Sequence, residues 1–155
     1  VAPISLTVGA LAGAAPPLMG WTAVTGSVGL GGALLFAILA VWQLPHFLAI
    51  AWMYREDYEG AGFRMISEGK QGREHTGRFA VISCVALLPA ALSPFFLHIS
   101  GVMYLGGALA LSLSFAWLSL RFSREMTLES ARRLFYYSLL YLPLLLGLMI
   151  WDRAA

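Results

Sequence analysis

Charged residues are scarce in this sequence. Ten Lys and Arg and eight Asp and Glu make up only 12% of the 155 residues, whereas 59% are hydrophobic. Soluble domains are about one quarter charged, and a chain of this size cannot bury so much apolar surface within itself. The composition therefore excludes a soluble globular domain. A net charge of +2 is also too small to indicate nucleic-acid binding.

Cysteine is nearly absent as well. The one cysteine, Cys84, lies within an apolar run. A single cysteine excludes a disulfide framework, and a buried one is usually a packing residue. No basic segment or cleavage site accompanies the first apolar stretch in this sequence, so we expect this stretch not to be a signal peptide. Because the chain begins with Val, we expect it to be the C-terminal part of a longer protein.

The few charges are confined to short segments. None occurs in 1–54, 79–120 or 134–151. Long apolar runs separated by short charged segments are typical of polytopic helical membrane proteins. The sequence therefore predicts an all-α transmembrane helical bundle without a second domain.

Five spans of about 20 residues, the length that a bilayer core requires, can be drawn. We place them at about 4–23, 28–54, 78–97, 101–120 and 132–151. Pro16 and Pro17 are expected to break or kink the first span. Gly9 and Gly13, four residues apart, would let another helix approach closely.

The charged segments 55–78 and 121–133 hold nearly all the basic residues. We interpret both as loops on the same side of the membrane, the cytoplasmic or matrix side, because short loops rich in Lys and Arg stay there. The C-terminus is then expected on the opposite side. Thr127 or Ser123 would cap a short interfacial helix in the second segment, or the segment is a solvated loop.

Polar side chains within the second span are the first candidate functional residues, because such groups are costly in a membrane. Gln43, His46 and Asp57 fall on one stripe of a continuous helix. His46 and Asp57 would be about 16 Å apart along its axis. The alternatives are a buried His46 bonded to a neighbouring backbone and an Asp57 that is an ordinary juxtamembrane charge.

Acidic and basic residues alternate through 55–78. Carboxylates suit Mg²⁺, which usually binds through one or two of them plus substrate phosphates, and Arg and Lys suit diphosphate oxygens. A substrate with a diphosphate head and an apolar tail, such as an isoprenyl diphosphate, would fit the edge of a helical bundle. Many transporters also have charged loops, so the pattern alone leaves that alternative open.

Three segments, in order, carry a family resemblance: "GALAGAAPPLMGW" (9–21), "WQLPHFLAIAW" (42–52) and "YREDYEGAGFRM" (54–65). Together they are similar to the heme O synthases, or protoheme IX farnesyltransferases, of the UbiA superfamily. The resemblance implies a bundle of roughly nine spans around a central cavity. It also implies two aspartate motifs, bridged by Mg²⁺ to farnesyl diphosphate.

The resemblance also implies roles for individual residues. "YREDY" resembles the second aspartate motif, which makes Asp57 the metal ligand and Glu56 a further candidate. "PHF" makes His46 a candidate for contact with heme b. Tyr54 would face the allylic cation as a third catalytic candidate with Asp57 and His46. The remaining candidates for substrate binding are Gln43, Arg55, Arg64, Lys70 and Arg73.

The first aspartate motif has no counterpart here, so we expect half of a bipartite site, and a fragment inactive alone. The implied reaction is farnesyl transfer from farnesyl diphosphate to a vinyl group of heme b, giving heme O. The expected location is a bacterial or mitochondrial inner membrane, with lipid and heme A synthase as partners. The alternatives are a quinone or chlorophyll prenyltransferase of the same superfamily and a membrane transporter or assembly subunit.

Overall fold

The computed structural model describes residues 2–62 and 69–153; within these ranges, the side chains of residues 2–7, 10, 58, 59, 69 and 70 are not described. Six α-helices and no strands make up the described chain. The helices are α1 (Ala2–Thr25), α2 (Gly29–Met53), α3 (Arg55–Gly60), α4 (Gly69–Phe96), α5 (Val102–Glu125) and α6 (Leu128–Trp151). The predicted all-α fold is confirmed.

Each of the five predicted spans corresponds to a long helix. Within the described ranges, α2, α4, α5 and α6 are long and apolar enough to cross a membrane. The first helix, α1, is as long as α5 and α6 but is rich in Ala, Gly and Pro, and it is not among these four.

Four helices form a ring, because α2 packs on α4, α4 on α5, α5 on α6, and α6 on α2. The core of this ring is built from large buried side chains, among them Leu48, Leu87, Tyr104, Phe115 and Tyr141. The remaining long helix, α1, packs against α2. Its Trp21 indole lies on two glycines of α2, and a methyl group on Gly32 would come within 2.6 Å of Trp21 Cδ1. The glycines therefore let the indole reach the α2 backbone.

Helix boundaries differ from prediction near the charged segments. Pro16 and Pro17 were expected to break or kink the first span; they do not break it, since α1 continues through both residues, and the kink stays a prediction. The segments expected to be loops are largely helical, because α4 begins at Gly69 and α5 continues to Glu125. Glu, Lys and Arg have good helix propensity, so a helix can continue beyond the end of its apolar run, as α4 and α5 do here.

The turn between α5 and α6 contains Met126 and Thr127 only. Thr127 caps α6 in a reciprocal arrangement with Ser130: its Oγ1 accepts from the Ser130 N–H, and its own N–H donates to Ser130 Oγ. The expected cap is therefore correct, but it starts the long α6 rather than a separate interfacial helix.

At the opposite end of the bundle, the C-terminus of α6 is fixed to the N-terminus of α5. Asp152 Oδ2 accepts a hydrogen bond from the Tyr104 N–H at 2.7 Å, and the Gly101 N–H donates to Asp152 O at 2.9 Å. A carboxylate in this position satisfies a free amide of the helix and complements its dipole. This contact sets α5 and α6 side by side.

Candidate functional site

The charged end of the bundle brings together the C-termini of α2 and α5 and the N-terminus of α4. The guanidinium of Arg73, in the second turn of α4, donates to the carbonyl of Glu125 at the end of α5, 3.3 Å away. A cation at a helix C-terminus stabilises the free carbonyls there. Arg73 therefore has a fixed direction although its side chain is exposed.

Trp52, near the end of α2, is the centre of this end of the bundle. Its side chain is buried, and the edge of its indole meets Phe122 of α5. The guanidinium carbon of Arg55 lies 4.2 Å from the ring centroid, and that of Arg73 lies 6.0 Å from it. Trp52 Nε1 has no hydrogen-bond partner among the described residues. The indole ring thus lies within cation–π distance of two guanidinium groups, while its buried Nε1–H donates to none of the described residues.

The helix that carries Trp52 ends at Tyr54, whose φ of −108° and ψ of 18° interrupt the helical backbone. The short α3 then begins at Arg55. Asp57 and His46 therefore do not share one continuous stripe, contrary to the arrangement expected for an unbroken helix. The Tyr54 side chain is half exposed, 51%, at this break.

Glu56 and Asp57 lie in the first turn of α3, and both are exposed. Arg55 donates to the Trp52 carbonyl at 2.9 Å and approaches Glu56 only to 4.0 Å, with the Glu56 side chain 87% exposed. An ion pair so open to solvent contributes little stability. Among the residues whose side chains are described, no cation lies within ion-pair distance of Asp57. The two carboxylates are thus accessible to a ligand from solution.

These carboxylates fit a divalent cation shared with a phosphate. Three or more His, Cys, Asp or Glu side chains grouped to enclose a metal are not found in residues 2–62 and 69–153. Mg²⁺ commonly binds proteins through only one or two carboxylates and completes its shell with water and substrate phosphates. Asp57 would hold Mg²⁺ in that way and leave most of its shell to water and phosphates; Glu56, adjacent to it on the helix and pointing about 100° away, is a further candidate.

His46 lies deeper in the bundle, seven residues before Met53 or about 10 Å along α2. Its ring is half buried and stacks between Trp42 and Phe135, with centroid distances of 4.9 and 5.1 Å and interplanar angles of 18° and 22°. His46 Nδ1 lies 2.6 Å from Ser138 Oγ of α6. Its partner is therefore a side chain of another helix and not the backbone expected of a merely buried histidine.

Gln43 is buried and faces a different helix from His46. Its amide lies on Gly13 of α1, where a methyl group would come within 2.5 Å of Gln43 Oε1. Gln43 Oε1 has no hydrogen-bond partner among the described residues. Gly13 thus makes the close approach predicted for it, whereas a methyl group on Gly9 would meet nothing within 4 Å in the described structure.

The predicted residues therefore divide into two groups. Arg55, Arg73 and the two carboxylates at the start of α3 lie at the charged end, whereas Gln43 and His46 lie further back along α2 and contact different helices, α1 and α6. Arg64 falls outside the described residues. Lys70 belongs to α4, and its side chain is not described.

Ser138 is the residue that sequence reasoning missed. It is fully buried in α6 and contacts two residues of α2, because Trp42 Nε1 donates to its carbonyl at 3.0 Å in addition to the His46 contact. The only signal in the sequence is a serine within an apolar span, which is too common in membrane helices to mark a site.

Comparison with known proteins identifies a family but no solved structure. The sequence model of the UbiA prenyltransferase family matches residues 1–145. No solved structure matches the chain.

Curated relatives match nearly the whole chain. A protoheme IX farnesyltransferase of Solibacter usitatus is 47% identical over 149 residues, which cover 96% of this chain and 51% of the relative. Proteins of the same name from Koribacter versatilis and Myxococcus xanthus are each 44% identical, covering 97% and 96% of this chain and 51% of each relative. The chain spans about half the length of the curated relatives that it matches.

Proposed function

The chain belongs to the UbiA prenyltransferase family, and we propose that it forms part of an integral membrane enzyme that makes heme O. The reaction is transfer of a farnesyl group from farnesyl diphosphate to a vinyl group of heme b, with addition of water at that vinyl group and release of diphosphate. The observation that carries this proposal is the charged end of the bundle, where two arginines lie over a buried tryptophan and two exposed carboxylates follow in the first turn of α3. Identities of 44–47% to proteins named protoheme IX farnesyltransferase support the choice of substrates.

The charged end suits the diphosphate. Asp57, with Glu56 beside it, would hold Mg²⁺, which when bound neutralises charge on the departing diphosphate. Arg55 and Arg73 are directed to the same end by Trp52 and by the α5 carboxyl terminus. Guanidinium groups bind phosphate oxygens in a fixed geometry. We propose Arg64 and Lys70 as further contacts to the diphosphate.

The interior suits the apolar partners of the reaction. The second half of α2 carries the aromatic rings of Trp42, His46 and Trp52. Two of them, the Trp42 indole and the His46 imidazole, are only partly buried. We propose that His46 contacts heme b, that Gln43 lines the substrate cavity, and that Tyr54 faces the cation that develops on the allylic carbon. An apolar surrounding keeps water from that cation, and an aromatic face stabilises it.

The chain would provide one half of the catalytic site. Its "YREDY" segment supplies one carboxylate motif, and the relatives are about twice as long as the matched region. We propose that the chain is the C-terminal portion of a single prenyltransferase domain. A second aspartate motif elsewhere in the whole protein would then complete the Mg²⁺ site, so this portion alone would be inactive.

The proposed location is a bacterial inner membrane or the mitochondrial inner membrane, with the charged end on the cytoplasmic or matrix side. Farnesyl diphosphate is water-soluble at its head, so a site at this rim admits the head from solution and the tail from the bilayer. Heme A synthase, which would use heme O, is the proposed downstream partner.

The experiment is a substrate panel on the whole protein in membranes that lack other heme-modifying activity. We expect farnesylated heme when heme b, farnesyl diphosphate and Mg²⁺ are supplied together, detected by mass spectrometry of extracted pigments. Prenylation of a quinone ring or a chlorophyll precursor instead would reassign the substrate within the family. Transport of a substrate without any prenylated product would contradict the proposal.

A further inference from the structure

One hydroxyl group determines the protonation of His46. Ser138 Oγ lies 2.5 Å from the carbonyl oxygen of Phe135, one turn earlier in α6, and 2.6 Å from His46 Nδ1. A hydroxyl has one hydrogen to donate, and a carbonyl oxygen only accepts. Both contacts are hydrogen bonds only if Ser138 donates to Phe135 and accepts from His46. Nδ1 then carries the proton.

A neutral imidazole that is protonated at Nδ1 has its lone pair at Nε2. The described chain offers no hydrogen-bond partner to Nε2 of His46. Trp42 and Phe135 both stack on the imidazole, at interplanar angles of 18° and 22°, so these contacts and the Ser138 hydroxyl restrain the orientation of the ring. The edge that bears Nε2 therefore keeps one direction relative to α6.

Ser138 also forms a hydrogen bond with Trp42, which stacks on the histidine. Its carbonyl oxygen accepts the hydrogen bond of the Trp42 indole at 3.0 Å, and Trp42 covers one face of His46. The Ser138 hydroxyl donates to the backbone carbonyl of Phe135, whose ring also stacks on His46. One fully buried serine thus contacts the imidazole and forms hydrogen bonds with both of the residues that stack on it, to the Trp42 indole N–H and to the Phe135 backbone carbonyl.

We propose that Ser138 is a positioning residue that holds His46 as the Nδ1–H tautomer and presents the Nε2 lone pair to the substrate. The identity of that substrate, heme b, rests on the proposed function. A histidine that binds a metal through one nitrogen commonly donates the other N–H to a fixed acceptor, and loss of that acceptor weakens binding by about 10- to 100-fold. The hydrogen-bond arrangement around Ser138 is of this type.

The first measurement is independent of the reaction. In whole protein labelled with ¹⁵N-histidine, the two ring nitrogens of His46 are assigned by the signals that His46→Gln removes. In the wild type, we expect the ¹⁵N chemical shifts to show Nδ1 protonated and Nε2 unprotonated. In Ser138→Ala, we expect the preference for the Nδ1–H tautomer to be lost. The matched control is Ser83→Ala in α4, since Ser83 is also buried and its hydroxyl bonds the carbonyl one turn earlier at 2.6 Å. The control is expected to leave His46 unchanged.

Two results of this measurement would overturn the proposal. One is a proton at Nε2 in the wild type. The other is a tautomer that Ser138→Ala does not alter while thermal unfolding shows the variant to be folded. Replacing serine by alanine removes a single oxygen atom from a helix, so a folded variant is expected.

The second measurement separates the tautomer from the proposed function. Heme b is titrated into detergent-solubilised protein and followed by its visible absorption. We expect Ser138→Ala to lower heme b affinity by about 10- to 100-fold and to alter the absorption of the bound heme, whereas Ser83→Ala changes neither. If the tautomer depends on Ser138 but the wild type binds no heme b, the proposed function fails and the positioning of His46 by Ser138 stands. If heme b binds equally to wild type and Ser138→Ala, the role of Ser138 in presenting Nε2 is wrong.

Discussion

The guanidinium of Arg55 lies over the indole of Trp52, 4.2 Å from the ring centroid, and the guanidinium of Arg73 lies 6.0 Å from the same centroid. The two arginines come from different helices, α3 and α4, and a single ring of α2 orients both. Trp52 therefore links the buried core to the charged end of the bundle. The edge of its indole packs on Phe122 of α5, and the two guanidinium groups lie over its ring.

Replacing Trp52 by leucine is therefore expected to weaken diphosphate binding. Each cation–π contact contributes about 0.5–2 kcal/mol, and 1.4 kcal/mol corresponds to a factor of ten in affinity. We expect KM for farnesyl diphosphate to rise about tenfold in the whole enzyme, as measured by steady-state kinetics. Trp117→Leu is the control, because exposed Trp117 makes a similar contact with Arg121, at 5.1 Å, away from the proposed site. Equal effects of the two substitutions would contradict a specific role for Trp52.

The packing of α1 on α2 depends on the absence of a side chain at Gly32. A methyl group there would lie 2.6 Å from Trp21 Cδ1 and 3.1 Å from its Cγ, atoms that a rigid ring cannot withdraw easily. We expect Gly32→Ala to lower the free energy of unfolding by about 1–3 kcal/mol, measured by thermal unfolding in detergent. Gly106→Ala, where a methyl group meets nothing within 4 Å, is expected to have no such cost. A Gly32→Ala protein as stable as this control would show that α1 does not pack on α2 in this way.

Asp152 is expected to stabilise the end of the bundle opposite the charged rim. Its Oδ2 accepts the Tyr104 N–H at 2.7 Å, so Asp152→Ala leaves an amide in the first turns of α5 without its partner. We expect a loss of about 0.5–2 kcal/mol in the free energy of unfolding. Asp152→Asn keeps an acceptor oxygen and should lose less. Unfolding curves of Asp152→Ala that coincide with the wild type would refute this role.

The start of α6 gives a separate test of helix capping. Thr127 Oγ1 accepts the Ser130 N–H at 3.1 Å, and Thr127→Val removes that oxygen while keeping the shape of the side chain. The expected loss is about 1 kcal/mol, measured in the same unfolding assay, with Thr127→Ser retaining most of the stability. If the valine and serine variants are equally stable, the cap contributes nothing.

The helical class and the order of the spans were predictable because charge and hydrophobicity are separated so sharply along the chain. Helix ends were less predictable. The apolar signal of the third span begins near Phe79, but α4 starts at Gly69, since residues outside a membrane can continue a helix with their backbone hydrogen bonds intact. Pro16 and Pro17 remove two N–H donors, but the other backbone hydrogen bonds of the 24-residue α1 continue the helix through them.

Within the candidate site, the pattern identified residues but not their partners. His46 was marked by its polarity in an apolar span. Ser138, which is 92 residues away in sequence, meets it only because α2 packs on α6, and no local pattern records that pairing. Similarly, the orientation of Arg55 and Arg73 by one indole follows from how three helix ends converge and not from the spacing of basic residues.

The most direct test of the central claim is formation of heme O by the Asp57→Asn variant of the whole protein. If Asp57 holds Mg²⁺ against the departing diphosphate, heme O in extracted pigments should fall by about 100-fold or more. Glu129→Gln should leave it unchanged, because Glu129 is an exposed carboxylate near the same end that pairs with Arg133. Near-normal heme O from Asp57→Asn at wild-type expression would contradict the claim.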